Sequence, residues 1–306
     1  MTVRTFMGNL NIGGGASIGT AATPAGTISL TADRIGTGDG SSGRIDAPDI
    51  FATAIHLRGG KRDNPDAINI AGSLEAPIIT VNRVDDSAEN ADLNVTGAIG
   101  AVRPVQSFSG GNLSQLNVTG GITGAAAGIT IDVTANRITV GGAITAGPGT
   151  VSLNASSGAL MLGPGGVADI VASDQSTITL NHTPGTPAPF TFSRINAGAT
   201  GTVNITTNAT STGIRQTGGT GLTAQVVTFS TDTGSISRTD GDNRVALNGV
   251  KALVITSGGD IALNGSGGTL DSFLFTCSGP GTQAFDLVNL GGQTSRSPTL
   301  SRRQWW

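Results

Sequence analysis

Catalysis needs acids, bases, nucleophiles or metal ligands brought together, and this chain of 306 residues supplies few of them. Two close carboxylate pairs, Asp46 with Asp49 and Asp85 with Asp86, are the candidates for the acid and base of polysaccharide cleavage. Neighbouring strand residues point to opposite faces, so the pairs read as solvated turn carboxylates. Zinc would require clustered His and Cys, whereas His56, His182 and Cys277 lie far apart in the sequence. The stretches "GTGDGSSG" around Asp39 and "RTDGDNR" around Asp240 and Asp242 place oxygen ligands on glycine-rich turns. Neither has the spacing of a calcium nonapeptide repeat or of a helix-loop-helix site, and both read as ordinary turns. "GGGASIG" from Gly13 has no βαβ unit around it, and no Ser-His-Asp order or phosphate loop is present. The residues therefore point to a protein that is not an enzyme, with no cofactor and no bound metal.

Two charged stretches stand out. "RGGKRDNPD" carries Arg58, Lys61 and Arg62, and "RVDDSAENAD" carries Arg83, Asp85, Asp86 and Glu89. If the two emerge at similar corners of successive structural units, they neutralise each other on a solvated face. Alternatively, together with "RPVQSFSGG" after Arg103, they form a lateral bump that touches a partner.

The elements that hold these residues are written in a repeat. The pattern apolar-x-apolar-x-Gly-x-apolar falls at Ile68-Ile70-Gly72-Leu74, Leu93-Val95-Gly97-Ile99, Leu116-Val118-Gly120-Ile122 and Ile138-Val140-Gly142-Ile144. Alternation with period two makes each copy a strand with one buried face, and the glycine permits a bend or a close backbone approach. Alone, such a strand is unstable. Stacked in register, the copies bury an apolar column and pair every backbone group with the turns above and below. The prediction is an all-β, single-stranded parallel β-helix of roughly 22 residues per rung, with roughly 13 rungs over about 60 Å. Further strands fit its other faces at Ile129-Ile131-Val133, Val151-Leu153, Ile178-Leu180, Val203-Ile205, Val227-Phe229 and Leu253-Ile255. Between the repeated apolar residues, Asn69, Asn94, Asn117 and Thr139 form an outward polar ladder. Several Asn-x-Ser/Thr triplets, including those at Asn94 and Asn117, arise from the same Asn/Thr-rich composition and need no glycan.

The rod is expected to span residues 1–290, with side loops near 58–66, 83–92, 101–115 and 183–190. Pro184, Pro187 and Pro189 exclude the last of these from a central strand. An irregular tail over 291–306 ends in Trp305 and Trp306.

Composition agrees with this architecture. Charged residues make up 12% of the chain against about 25% in ordinary soluble proteins, while glycine fills 48 positions. A net charge of -3 advertises no nucleic-acid partner. Cys277, the single cysteine, reads as a small buried hydrophobe. No apolar run is long enough to span a membrane, and the start lacks the apolar core of a secretory signal.

The stretches "GTISLTADRI", "ITVGGAITAGPGTVSLNASSGAL" and "ALVITSGGDIAL" resemble the repeats of filamentous-haemagglutinin-type exoproteins, exported by two-partner secretion, and of autotransporter passengers. The resemblance covers about residues 8 to 290. It implies a right-handed parallel β-helix, secreted or held on a bacterial cell surface, and a chain that is a segment of something longer. The expected role is a non-catalytic, adhesive shaft that presents loops to a host or neighbouring cell, a glycan or matrix. A polysaccharide lyase or hydrolase on the same solenoid, and a fibre self-associating end to end, are the alternatives.

Overall fold

Stacking is what the chain does with its alternating strands. The structure, a computed structural model, describes residues 1–5, 10–13, 17–32, 44–59, 68–82, 91–240, 243–267, 269–279 and 283–290. It is a parallel β-solenoid of about 10 turns with about 24 residues per turn. All the strand pairings recorded are parallel. The repeat is longer than the expected 22 residues, and the turns fewer than the expected 13. The reason lies in the connections, which vary from turn to turn: register partners stand 20 residues apart at Ile131 and Val151 but 27 apart at Val151 and Ile178.

Each turn has three strand-bearing sides. The first keeps its register without a slip between Ile129 and Thr231. Its strands run from Thr2–Thr5 through Ile129–Val140 and Thr202–Thr207 to Ser272–Cys277. Along it, Ile131, Val151, Ile178, Val203, Val227 and Leu253 stack as consecutive register partners and are buried. The second side carries the repeat. Ile68, Leu93, Leu116 and Ile138 stand directly over one another, as do Ile70, Val95, Val118 and Val140. On the third side, Leu74, Ile99, Ile122 and Ile144 continue the column. Every one of these side chains is buried. At roughly 1.5–3 kcal/mol for each fully buried aliphatic side chain, the columns are the main force that closes the solenoid.

The glycines at the corner between the second and third sides answer to close approach. A Cβ on Gly97 would stand 2.8 Å from the carbonyl oxygen of Gly72, and one on Gly120 would stand 2.8 Å from that of Gly97. Successive corners nest backbone to backbone. Gly120→Ala should therefore cost about 1 kcal/mol through forced displacement of the turn below. Urea denaturation of the full chain measures this, with Gly111→Ala, which meets nothing within 4 Å, as the comparison.

Three expectations are corrected here. Cys277 is exposed, because it ends Ser272–Cys277, the last described strand of the first side, where no following turn covers it among the described residues. Pro189 lies inside a strand, Ala188–Asn196, at a point where the register with Ser211–Thr223 slips between Ala188 and Phe190. The irregularity spares the ladder the amide that proline lacks. The side loop near 101–115 is confined to 101–106: Ser107–Val118 is strand, irregular between Gly110 and Leu113. The tail 291–306 lies outside the described residues, as do most of the loops at 58–66 and 83–92. No helix among the described residues is long and apolar enough to cross a membrane.

Candidate binding groove

The outward polar ladder lies on the second side of the solenoid and is longer than the sequence reading had it. In register it runs Asn11, Asp46, Asn69, Asn94, Asn117 and Thr139, one residue per turn. Alternation puts these residues outward because their neighbours, from Leu10 and Ile45 to Ile138 and Val140, are buried. Side chains of neighbouring turns then meet. Asn69 Nδ2 donates to Asp46 Oδ1 at 3.1 Å, Asn94 Nδ2 to Asn69 Oδ1 at 3.3 Å, and Gln115 Nε2 to Asn94 Oδ1 at 3.4 Å. Such donor-to-acceptor bonds align the amides in one sense along the rod. They also explain why asparagine suits the position: it is short, with a donor and an acceptor on one planar group.

The ladder floors an open groove of about 610 Å³. Pro48, Ala71 and Thr96 contribute its apolar edge, and Arg44 stands at the end nearer Asn11. Arg44 Nε donates to both oxygens of Asp46, at 2.8 and 2.7 Å, so the one carboxylate in the lining is ion-paired. The side chain of Asn117, at the other end, has no hydrogen-bond partner among the described residues, while its backbone pairs in the ladder with Asn94 and Thr139. In the sequence, the segments 33–43, 60–67 and 83–90 lead straight into three strands of the groove, Ile45–Ala47, Ile68–Ile70 and Ala91–Val95.

Chemically, the groove is a row of amides at the spacing of stacked strands, about 4.8 Å, with a neutralised ion pair at one end. Such a surface can donate and accept hydrogen bonds repeatedly along an extended, uncharged polar chain. Among the described residues no aromatic side chain lines it, so hydrogen bonding is the chemistry it offers.

The other candidate residues are dispersed. Asp49 does not join Asp46: its Oδ1 accepts the backbone N–H of Ser73 at 2.5 Å, holding the corner of the next turn. Of the charged set, Arg58 ends its strand in register with Thr31 and Asn82 and is exposed. Lys61, Arg62, Arg83, Asp85, Asp86 and Glu89 lie outside the described residues, and so do Asp39 and Asp242. Asp240 is engaged by Arg238 at 2.9 Å and by the amide of Gly218 at 3.0 Å. The side-chain bond from Arg238 and the bond from Gly218 hold its carboxyl well below the ordinary range. Arg103 reaches the rod through its backbone. Its amide and that of Val102 each donate at 2.8 Å to Glu75 Oε2, and Glu75 is buried. Nothing in the sequence marks Glu75; its buried carboxylate takes the two turn amides, of Val102 and Arg103, ahead of the point where Val105 rejoins the ladder opposite Gly124. His56 sits exposed on the first side and His182 is buried at a corner. Among the described residues, no three His, Cys, Asp or Glu side chains come together in a way that could hold a metal ion.

Asn11 and Asp46 are legible in the sequence as members of the ladder. "LNI" at Leu10 and "IDA" at Ile45 repeat the apolar-polar-apolar phrase of "INI" at Ile68. Leu10 stands 35 residues before Ile45, off the period, and the phrase at Ile45, 23 residues before Ile68, lacks the glycine that completes the repeated pattern.

No protein-family model, curated protein or solved structure matches the chain.

Proposed function

We propose that this chain is a non-catalytic, elongated shaft of a secreted or surface-exposed adhesin-like exoprotein, and that its groove binds an uncharged glycan. The observation that carries the reading is the outward amide ladder from Asn11 to Asn117, flooring one groove across consecutive turns. A glycan offers hydroxyls at regular intervals, and a ladder of amides meets them at regular intervals. Each contact is weak, and affinity comes from repetition along the rod. The contacts of Asp46 favour binding over cleavage, since both its oxygens are taken up by Arg44 Nε and one of them also by Asn69 Nδ2, leaving neither free to face a glycosidic bond. The repeat stretches that resemble filamentous-haemagglutinin-type exoproteins support a role at the cell surface.

The test is retention of the full chain on a panel of uncharged and uronate-bearing oligosaccharides. The wild type is expected to hold uncharged members, and Asn69→Ala with Asn94→Ala to weaken binding by about ten-fold, as loss of hydrogen bonds totalling about 1.4 kcal/mol requires. An unchanged circular dichroism spectrum separates this from misfolding. Equal binding by wild type and variant would place the glycan elsewhere. Shortened oligosaccharides after incubation would instead favour the lyase or hydrolase reading.

A further inference from the structure

We infer that the first side of the solenoid, between Ile129 and Thr231, is a surface that binds ice. It lies apart from the amide groove and does not depend on a glycan being bound there. Five consecutive strands contribute: the first half of Ile129–Val140, then Gly149–Ala155, Thr177–His182, Thr202–Thr207 and Val226–Thr231. Their pairing is residue for residue, with no slip of register over the whole patch. The third side, by contrast, slips at two successive pairings.

The unbroken register turns sequence into a two-dimensional net. Thr130, Thr150, Thr177 and Thr202 form one outward column, threonine over threonine on four turns. Two residues further along each strand, a second column contains Ser152, Thr179, Asn204 and Thr228. Rows repeat about every 4.8 Å along the rod and columns about every 6.6 Å along the strands. The row spacing lies close to a lattice repeat of hexagonal ice. Threonine is the residue for such a net. Its β-branch leaves few rotamers, so its hydroxyl and methyl are already placed before anything binds and little ordering cost follows. The hydroxyls can hold water at lattice positions, and the methyls between them leave no group that competes for it.

The character of the face narrows the occupant. Asp132 is the one charge on it, at the edge of the patch, and no outward residue is aromatic. A charged surface finds no complement there. The patch covers about 500 Å² by the spacings above, less than the roughly 800 Å² per partner of a standard protein complex. A rigid and regular net of mostly hydroxyl side chains, with one charge at its edge, is complementary to a regular array of water.

The full chain, added to a slightly supercooled solution holding a single ice crystal, is expected to facet the crystal and to open a gap between its melting and growth temperatures. Thr179→Tyr, in the middle of the net, should reduce that gap at least five-fold. Thr145→Tyr, on the exposed third side, should leave it unchanged, with thermal melts confirming that both variants fold. Thr228→Lys replaces Thr179→Tyr if the latter does not fold. Ice that grows as unfaceted discs with wild-type protein overturns the inference, as does a gap that Thr179→Tyr leaves intact. Retention on crystalline cellulose without ice shaping would assign the face to a polysaccharide solid and overturn it too. A dimer that Thr179→Tyr dissolves, without ice shaping, would assign the face to a second copy of the chain.

Discussion

Replacing Leu116 with alanine is expected to destabilise the chain by about 2–5 kcal/mol. Leu116 is fully buried and stands in register between Leu93 below and Ile138 above. In a globular core, neighbours from several directions can relax into a cavity. In a solenoid the column is held from both sides by backbone ladders at fixed spacing, so collapse along the rod is resisted and the larger part of the range applies. The geometry also dictates the coupling. Leu93→Ala and Leu116→Ala share one cavity and should combine non-additively, whereas Leu116→Ala and Leu253→Ala, many turns apart, should add within about 0.5 kcal/mol. Urea denaturation of the single and double variants gives both quantities. Additivity of the adjacent pair would mean that the column does not pack as one continuous core.

The contrast between Leu116 and Glu75 shows what was legible in the sequence. Leu116 belongs to a phrase repeated along the chain, and a repeated alternating phrase has one economical structural meaning: a stack of strands with one buried side. The parallel arrangement, the buried identity of each apolar position and the outward ladder followed from that meaning. Glu75 occurs once. Its burial depends on two amides that arrive from residues 102 and 103 of the following turn, and nothing local in the phrase that contains it announces them. Cys277 failed for a related reason. Its position continues a column of buried residues, and the pattern shows inward direction without showing whether another turn follows. The groove was half legible. The ladder was read from the repeat, but that it floors a groove depends on how the edges at Pro48, Ala71 and Thr96 rise beside it.

That same inward column supplies the other large effect, at His182. Successive turns place Ala155, His182, Thr207 and Ser257 in line, with Thr231 between the last two, so the corner of the apolar core becomes polar from His182 onward. His182 is satisfied there by backbone alone. Its Nδ1 accepts the amide of Leu160 at 3.0 Å, which assigns the ring proton to Nε2, facing the carbonyl oxygen of Ala188 at 3.4 Å. Phe190 packs against the ring at a centroid separation of 5.8 Å. Burial lowers the His182 pKa below its ordinary value, and this outweighs the opposing pull of the Ala188 carbonyl. A proton on Nδ1 would also set two N–H donors against each other across the Leu160 contact. The folded state therefore binds this proton less readily than the unfolded chain, whose histidine titrates near 6.5. Stability contributed by neutral His182 is complete above that pH and is lost as pH falls from there towards the lower folded-state value. His182→Leu strands the Leu160 amide and should cost about 1–3 kcal/mol at pH 8. The variant should lose less stability than the wild type between pH 7 and pH 5, so the two curves converge on acidification. Denaturation midpoints of both proteins across that range decide the matter. Parallel curves would mean that His182 does not titrate on unfolding, and that the polar corner tolerates acid by some other arrangement of its donors.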